Sequence, residues 1–129
     1  MKIDENKLIE KAVSAKKFAY APYSHFPVGA CVLCSDGSEI TGCNIENSSY
    51  GLTMCAERVT LFKARSEGKE DIVAMAVAAD VDEPVSPCGA CRQVMLELAP
   101  KAVIYLSNRD GSRVRRMTVE ELLPYGFRL

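Results

Sequence analysis

The feature that most constrains the fold is a nearly uninterrupted apolar segment at residues 72–79. Its length suits a β-strand, and apolar residues occupy both alternating sets of positions, so both faces of such a strand must be covered. An acidic loop with prolines, residues 80–87, follows it. The segment therefore predicts a central strand packed between two layers of other structure.

The first half of the chain carries one helical and two strand patterns. Apolar residues recur at three- and four-residue steps over residues 4–20, which predicts an amphipathic helix ending before Pro22. Residues 28–33 and 39–45 are β-compatible and are separated by a segment with an Asp-Gly step, which is typical of a tight reversal. We expect a β-hairpin here.

Helices and strands alternate through the second half. A threonine at position 53 can cap a helix that runs to about residue 67, and a further helix opens at Pro87. Residues 102–106 predict a short strand, and Thr118 with Glu121 forms a possible capping box for a last helix. The order predicts an α/β domain in which helices cover a mixed sheet.

Length and charge restrict the function classes. A chain of 129 residues with 48% hydrophobic content can bury a core without staples, so we expect one domain over residues 1–129. The formal net charge is −1, which is unlike the basic surface that nucleic-acid polymers or anionic membranes require. A small uncharged ligand suits this balance better.

The six cysteines raise the question of redox compartment. Residues 1–10 alternate charged with isolated apolar residues, unlike the core of a secretory signal, and no later stretch is long enough to span a bilayer. We therefore expect a cytoplasmic protein with reduced cysteines. Metal binding then becomes their first candidate role.

Two Cys-x-x-Cys pairs compete as metal ligands, and together they would make a four-thiolate structural site. Cys31 and Cys34 lie on a predicted strand, where positions three apart point to opposite faces. Cys88 and Cys91 lie in the first turn of a predicted helix, where the same spacing places both on one face. Only the second pair is a plausible chelating pair.

The third candidate ligand is Cys55, which shares a predicted helix start with Glu57. Three thiolates leave one position on Zn²⁺ open for a water that the metal makes acidic, and a nearby carboxylate can relay its protons. Because three thiolates make the site anionic, we expect compensation from two helix N-termini and from Arg58. The residues thus indicate a catalytic centre with one zinc ion per chain.

The sequence Cys-Ala-Glu-Arg at residues 55–58, followed by Pro-Cys-Gly-Ala-Cys-Arg-Gln at 87–93, resembles the zinc signature of the all-cysteine cytidine deaminases. Residues 22–30 and 44–47 resemble further family segments in matching order and spacing. The resemblance implies a three-layer α-β-α domain with a mixed five-stranded sheet. It also implies hydrolysis of cytidine and 2'-deoxycytidine to uridine and 2'-deoxyuridine plus ammonia, a reaction of pyrimidine salvage.

The same resemblance assigns roles residue by residue. It implies that zinc-bound hydroxide attacks C4 of the pyrimidine while Glu57 protonates N3 and later the departing amine. It further implies a homotetramer with shared active sites. The residues expected to contact the nucleoside, in their own chain or across a subunit boundary, are Phe26 against the base, Asn44 and Glu46 at the ribose 3'-hydroxyl, Ala56 through its backbone, and the aromatic residues Tyr50 and Phe127.

Two alternatives stay open. A blasticidin-S-type deaminase would share the metal motif, although residues 26–30 and 44–47 resemble the ribose-binding pattern of the cytidine deaminases. In a non-catalytic structural zinc module, Glu57 would be an ordinary carboxylate stabilised by the helix dipole. His25, the one histidine, is expected to be structural, and Cys31, Cys34 and Cys43 to be small buried residues of the hairpin.

Overall fold

A computed structural model describes residues 1–129 and contains a five-stranded sheet with helices on both faces. None of its helices combines the length and apolar character needed to cross a bilayer. In chain order the elements are α1 (Glu5–Ala15), β1 (Val28–Cys34), β2 (Glu39–Cys43), α2 (Ala56–Ser66), β3 (Ile72–Ala79), α3 (Gly89–Leu98), β4 (Val103–Ser107), β5 (Val114–Thr118) and α4 (Val119–Leu122).

The sheet is mixed, with the strand order β2-β1-β3-β4-β5. The pair β3 and β4 is parallel, and α3 lies in the connection between them, whereas the other neighbours are antiparallel. Parallel strands need such a crossover, because the chain must return to the same end of the sheet. The predicted mixed α/β sheet is confirmed.

The central strand β3 is buried on both faces, as its apolar pattern predicts. Its small residues Ala74, Ala76 and Ala78 form one cluster with Leu8 and Ile9 of α1. Its larger residues, among them Met75 and Val77, belong to the cluster on the opposite face, which holds residues of α2, α3 and α4. Small side chains on the first face leave room for α1, and the two clusters make the three-layer arrangement.

Two element boundaries differ from the sequence prediction. The first helix ends as an α-helix at Ala15, and a 3₁₀ turn continues to Phe18. Helix α2 is capped by Cys55 and not by Thr53, because Met54 forms a β-bridge with Ile45 and keeps the backbone extended up to the cap. The predicted capping box of Thr118 and Glu121 is present at α4.

Strand β5 lies at an edge of the sheet and has no pattern that marks it as a strand. Its side chains are mostly exposed, so no alternation of apolar and polar residues distinguishes it. The resemblance implied five strands, but the residue pattern alone did not place this one. Arg115 and Arg116 are exposed on it, which suits an edge strand that must not pair with another sheet.

Gly29 marks the closest approach of α1 to β1. A Cβ atom there would overlap the backbone carbonyl oxygen of Ala12 and lie 2.8 Å from the backbone nitrogen of Lys16.

We expect Gly29→Ala to lower the free energy of unfolding by about 3 kcal/mol, because backbone atoms cannot move aside as a flexible side chain can. Denaturant unfolding measures this effect. Gly51→Ala is the matched control, since no atom lies within 4 Å of its added Cβ, and equal losses in both variants would contradict the packing argument.

Candidate metal centre and adjoining cavity

Three cysteines meet where α2 and α3 begin. Cys55 caps α2, Cys88 caps α3, and Cys91 lies in the first turn of α3. Their Sγ atoms all lie within 4.8 Å of one another, and the Sγ atoms of Cys55 and Cys88 are 3.7 Å apart. Tetrahedral zinc with metal–sulfur bonds of about 2.3 Å places its sulfur ligands about 3.8 Å apart. The cluster therefore fits a zinc ion.

The remaining cysteines do not join this cluster. Cys31 belongs to the core that faces α1, whereas Cys34 belongs to the core on the other side of the sheet. This arrangement confirms that strand geometry keeps the two thiols apart. The cluster has three members, and His25 is not one of them. A zinc ion held there would keep a fourth position for another ligand.

Three sources of positive charge adjoin the sulfur cluster, namely two helix N-termini and Arg58. The N-termini of α2 and α3 both begin at ligand cysteines, and each terminus carries partial positive charge. Nη2 of Arg58 donates a hydrogen bond of 3.4 Å to Sγ of Cys55. Hydrogen bonds from the Cys91 thiol and then from Arg58 lower the pKa of Cys55 to about 5, against the cost of burial. These contacts favour the thiolate form of Cys55.

Cys91 has the opposite tendency. Its pKa is raised, because its thiol donates a hydrogen bond to the Cys55 sulfur and because it is buried. Thiolates and not thiols bind zinc, so this proton must leave when a cation enters. Arg58 lies beside the sulfur that accepts this hydrogen bond.

Glu57 is the buried carboxyl group of the site. It is the second residue of α2, only 4% of it is exposed, and it lines the same cavity as Cys55 and Cys88. Burial raises its pKa to about 7, with a further contribution from the Cys55 thiolate. A carboxyl group with such a pKa can both accept and donate a proton near neutral pH.

The cluster opens into a cavity of about 380 Å³, a volume typical of small-molecule sites. A larger cavity of about 750 Å³ lies between Leu96 and Gly126, but no cysteine or histidine lines it. The walls of the cavity at the cysteines, hereafter the cluster cavity, are formed by Ser24, Phe26, Val28, Asn44, Glu46, Thr53, Met54, Cys55, Ala56, Glu57, Val85, Ser86 and Cys88.

Asn44 and Glu46 hold one wall of the cluster cavity. Oδ1 of Asn44 accepts a hydrogen bond of 2.9 Å from the backbone nitrogen of Val28, and Nδ2 donates one of 2.8 Å to the carbonyl of Phe26. The Glu46 carboxylate accepts hydrogen bonds from the hydroxyl of Ser24 and from the backbone nitrogens of Tyr23 and Ser24. These bonds fix the loop that carries Phe26.

Ser24 is a site residue that the sequence analysis did not single out. Its hydroxyl lowers the pKa of Glu46 and also accepts a hydrogen bond of 3.1 Å from the backbone nitrogen of Phe26. The next residue, His25, has a φ of 55°, which turns the loop sharply between Ser24 and Phe26. A serine in a loop between prolines carries no signal of this role, which depends on where Glu46 lies.

The predicted site residues do not all meet. The cluster cavity brings together seven of them, namely Phe26, Asn44, Glu46, Cys55, Ala56, Glu57 and Cys88, while Cys91 and Arg58 adjoin it through the sulfur cluster. Tyr50 is 81% exposed and Phe127 is 70% exposed, and neither lines the cluster cavity of its own chain. Their role at a neighbouring subunit's site stays a prediction.

A family model for the cytidine and deoxycytidylate deaminase zinc-binding region matches residues 2–107. The chain belongs to this deaminase family. It is 57% identical over 126 residues to the cytidine deaminase of Halalkalibacterium halodurans, a match that covers 97% of this chain and 95% of that protein. The cytidine deaminase of Sporosarcina psychrophila is 50% identical over 126 residues, covering 97% of this chain and 92% of its own.

A crystal structure of cytidine deaminase from Burkholderia pseudomallei superimposes on this deaminase fold with a TM-score of 0.93 and 45% identity. The match covers 97% of this chain and 100% of that one. Together with the matched zinc-binding region, the geometry of Cys55, Cys88 and Cys91 fits one zinc ion per chain. The sequence prediction of the family and of its metal is confirmed.

The ligand set can be tested by comparing two cysteine variants. We expect Cys55→Ala to lose the zinc ion, because two remaining thiolates bind the metal far more weakly than three. Cys31→Ala is the control, since Cys31 is equally a cysteine but lies in the core that faces α1. Zinc per chain is measured by atomic emission on folded protein. A Cys55→Ala protein that retains one zinc per chain would exclude this ligand set.

The buried carboxyl group should cost stability in the protein without metal. Its pKa is raised from 4.5 to about 7, so the unfolded chain releases the proton first and wild-type stability falls as pH rises through this window. Glu57→Gln removes the effect. We expect the variant's stability relative to wild type to grow from pH 4.5 to 7, by at most about 3 kcal/mol, and then to level off. Denaturant unfolding of chelated protein across pH measures the difference, and a constant difference would contradict the assigned burial cost.

Proposed function

We propose that this chain hydrolyses cytidine and 2'-deoxycytidine to uridine and 2'-deoxyuridine, with release of ammonia. The observation that carries the proposal is the buried carboxyl group of Glu57, which faces the same cavity as the cysteine cluster. A structural zinc module has no use for an uncompensated acid at a cavity, whereas hydrolysis needs a proton carrier there. The relatives named cytidine deaminase support the choice of base.

The zinc ligands and Glu57 have different roles in the proposed reaction. A zinc ion held by Cys55, Cys88 and Cys91 supplies the Lewis acidity that makes water a nucleophile near neutral pH. Glu57 accepts a proton as water adds to C4 of the pyrimidine and delivers a proton to N3. It then takes the proton of the new hydroxyl group on C4 and delivers it to the amino group, so that the C4 carbonyl forms as ammonia leaves. A pKa of about 7 lets the same carboxyl group perform both transfers.

Arg58 limits the negative charge that accumulates at this centre. Its hydrogen bond to Cys55 withdraws electron density from a ligand sulfur, and its own pKa is raised by that contact. An anionic trithiolate site would otherwise bind water as a weak acid. Arg58 therefore supports the activation of water without contacting the substrate.

The walls of the cluster cavity suit a nucleoside. Phe26 lines the cavity and is the proposed contact to the base. Asn44 keeps one amide proton beyond its bond to Phe26, and Glu46 keeps lone pairs beyond its bonds to Tyr23 and Ser24, so both can bind a ribose 3'-hydroxyl. Ala56 begins α2, so its backbone nitrogen has no partner within the helix and can donate to the base.

A substrate read through a free 3'-hydroxyl is a nucleoside and not an internal nucleotide of a polymer. The nearly balanced charge of the chain also gives no basic track for a phosphate backbone. We assign the enzyme to pyrimidine salvage in the cytoplasm, acting as one domain over residues 1–129.

Assembly into a homotetramer with shared active sites accounts for a set of exposed aromatic side chains. Isolated exposed apolar residues are common, whereas large ones that lie together in one patch mark a contact surface. Tyr50 and Phe127, assigned above to a neighbouring subunit's site, are among them, and such a site would exclude water better than the open cavity of one chain. The exposed aromatic residues are Phe18, Tyr20, Tyr23, Phe26, Tyr50, Phe62, Tyr125 and Phe127.

The activity is tested with Glu57→Gln, which keeps the shape of the side chain but cannot carry a proton. We expect zinc content to stay at one per chain and uridine formation from cytidine to fall by about 10² to 10⁴. Zinc is measured by atomic emission and uridine by chromatography. Glu67→Gln, an exposed substitution at the other end of α2, is the control and should keep wild-type activity.

Three results would contradict the assignment in different ways. Full activity in a zinc-loaded Glu57→Gln protein would exclude the proposed proton carrier. Turnover of blasticidin S without turnover of cytidine would favour the related antibiotic deaminase. A zinc-loaded wild-type protein that released ammonia from neither substrate would favour the interpretation as a non-catalytic zinc module.

A further inference from the structure

Arg92 makes three hydrogen bonds that link the segment before the ligand Cys88 to α4, which lies about 30 residues further along the chain. It is half-buried on α3, directly after the ligand Cys91. Nε donates to the carbonyl of Pro87 at 2.9 Å, Nη2 to the hydroxyl of Ser86 at 2.8 Å, and Nη1 to the carbonyl of Leu122 at 2.7 Å. The partners are all neutral, so the guanidinium acts here as a donor fork and not as half of an ion pair.

We propose that Arg92 is the positioning residue that fixes the Ser86–Pro87 segment against α4, and with it the Ser86 wall of the cluster cavity and the ligand Cys88. The expected effect on zinc retention depends only on the geometry of the metal ligands in this chain. The expected effect on substrate binding rests on the proposed function. Arg92 touches neither ligand sulfur nor substrate in this arrangement, so its contribution is geometric.

The wall needs such a clamp because its own backbone offers little to hold it. Pro87 has no N–H to donate, and it directly precedes the ligand Cys88. Upstream, the backbone nitrogen of Val85 reaches the carbonyl of Ser107 at 3.2 Å. Between that bond and the start of α3, Arg92 donates the bonds that reach Ser86 and Pro87. Movement of this segment would displace both a cavity wall and a metal ligand.

The third bond ties the wall to the end of the chain. Leu122 is the last residue of α4, where carbonyl groups lack partners within the helix. The next residue along α3, Gln93, donates from Nε2 to the carbonyl of Phe127 at 3.1 Å. Adjacent residues of α3 therefore hold α4 and the tail after it, and Arg92 links that assembly to the cluster cavity.

Only arginine suits this position. Its planar guanidinium presents donors in fixed directions and can satisfy three separated acceptors at once. A lysine would keep the charge but direct one flexible ammonium at the same acceptors. Arg92→Lys is therefore expected to lie between wild type and Arg92→Met, which removes every donor and keeps much of the side-chain volume.

The experiment measures zinc release and catalysis separately. We expect Arg92→Met to release zinc to a colorimetric chelator about tenfold faster, as for other residues that orient metal ligands. In zinc-saturated enzyme its KM for cytidine should rise about tenfold, while kcat stays within about threefold of wild type. Arg113→Met is the matched control. Arg113 also forms a side-chain contact to the loop of residues 80–87, but its partner there is the exposed Glu83. It should match wild type in both measurements.

Unchanged zinc release and unchanged KM in folded Arg92→Met would overturn the proposal, even with a lowered thermal midpoint, since Arg92 would then be only structural. Should that variant not fold, Ser86→Ala removes the wall's acceptor and should raise KM by about threefold, consistent with loss of one hydrogen bond. A wild-type KM in Ser86→Ala would overturn the proposal as well. The zinc-release assay uses no cytidine, so failure of the deaminase assignment would be recognised separately, in the wild-type enzyme.

Discussion

The arrangement of the site depends on the convergence of two helix N-termini on three sulfur atoms. Cys55 and Cys88 cap α2 and α3, so the backbone ends and the ligands are placed by the same packing. Partial positive charge from both termini and the full charge of Arg58 favour thiolates where zinc must bind. The metal site is therefore a consequence of how the two helices pack against the sheet.

Several polar side chains near the metal centre are hydrogen-bonded to the segments that form the walls of the cluster cavity. Asn44 and Glu46 are bonded to the loop that carries Phe26, and Arg92 is bonded to the segment that precedes Cys88. The cavity is thus preorganised from both sides, which reduces the ordering cost of binding. The exception is Glu57, whose burial is unfavourable for the fold and useful for proton transfer.

Much of the fold can be predicted from local sequence patterns, and the elements that were not predicted correctly have physical explanations. The doubly apolar β3 and the capping box at α4 were predicted from residue types because both signals are local. Strand β5 was not placed by its pattern, because an exposed edge strand needs no apolar face. The cap of α2 was assigned to Thr53 and not to Cys55, because a β-bridge between Ile45 and Met54 decides where the helix begins.

The sequence by itself determined that Cys88 and Cys91 share one face of a helix and that Cys31 and Cys34 cannot. Those relations depend on spacing within a single element, whereas Cys55 was proposed as the third ligand because it shares a predicted helix start with Glu57, and the family resemblance supports that choice. Only the tertiary structure decided that Cys55 meets Cys88 across 33 residues, and that Arg92 reaches Leu122 across 30. Contacts between distant segments depend on how the helices dock on the sheet, and no local periodicity encodes that docking.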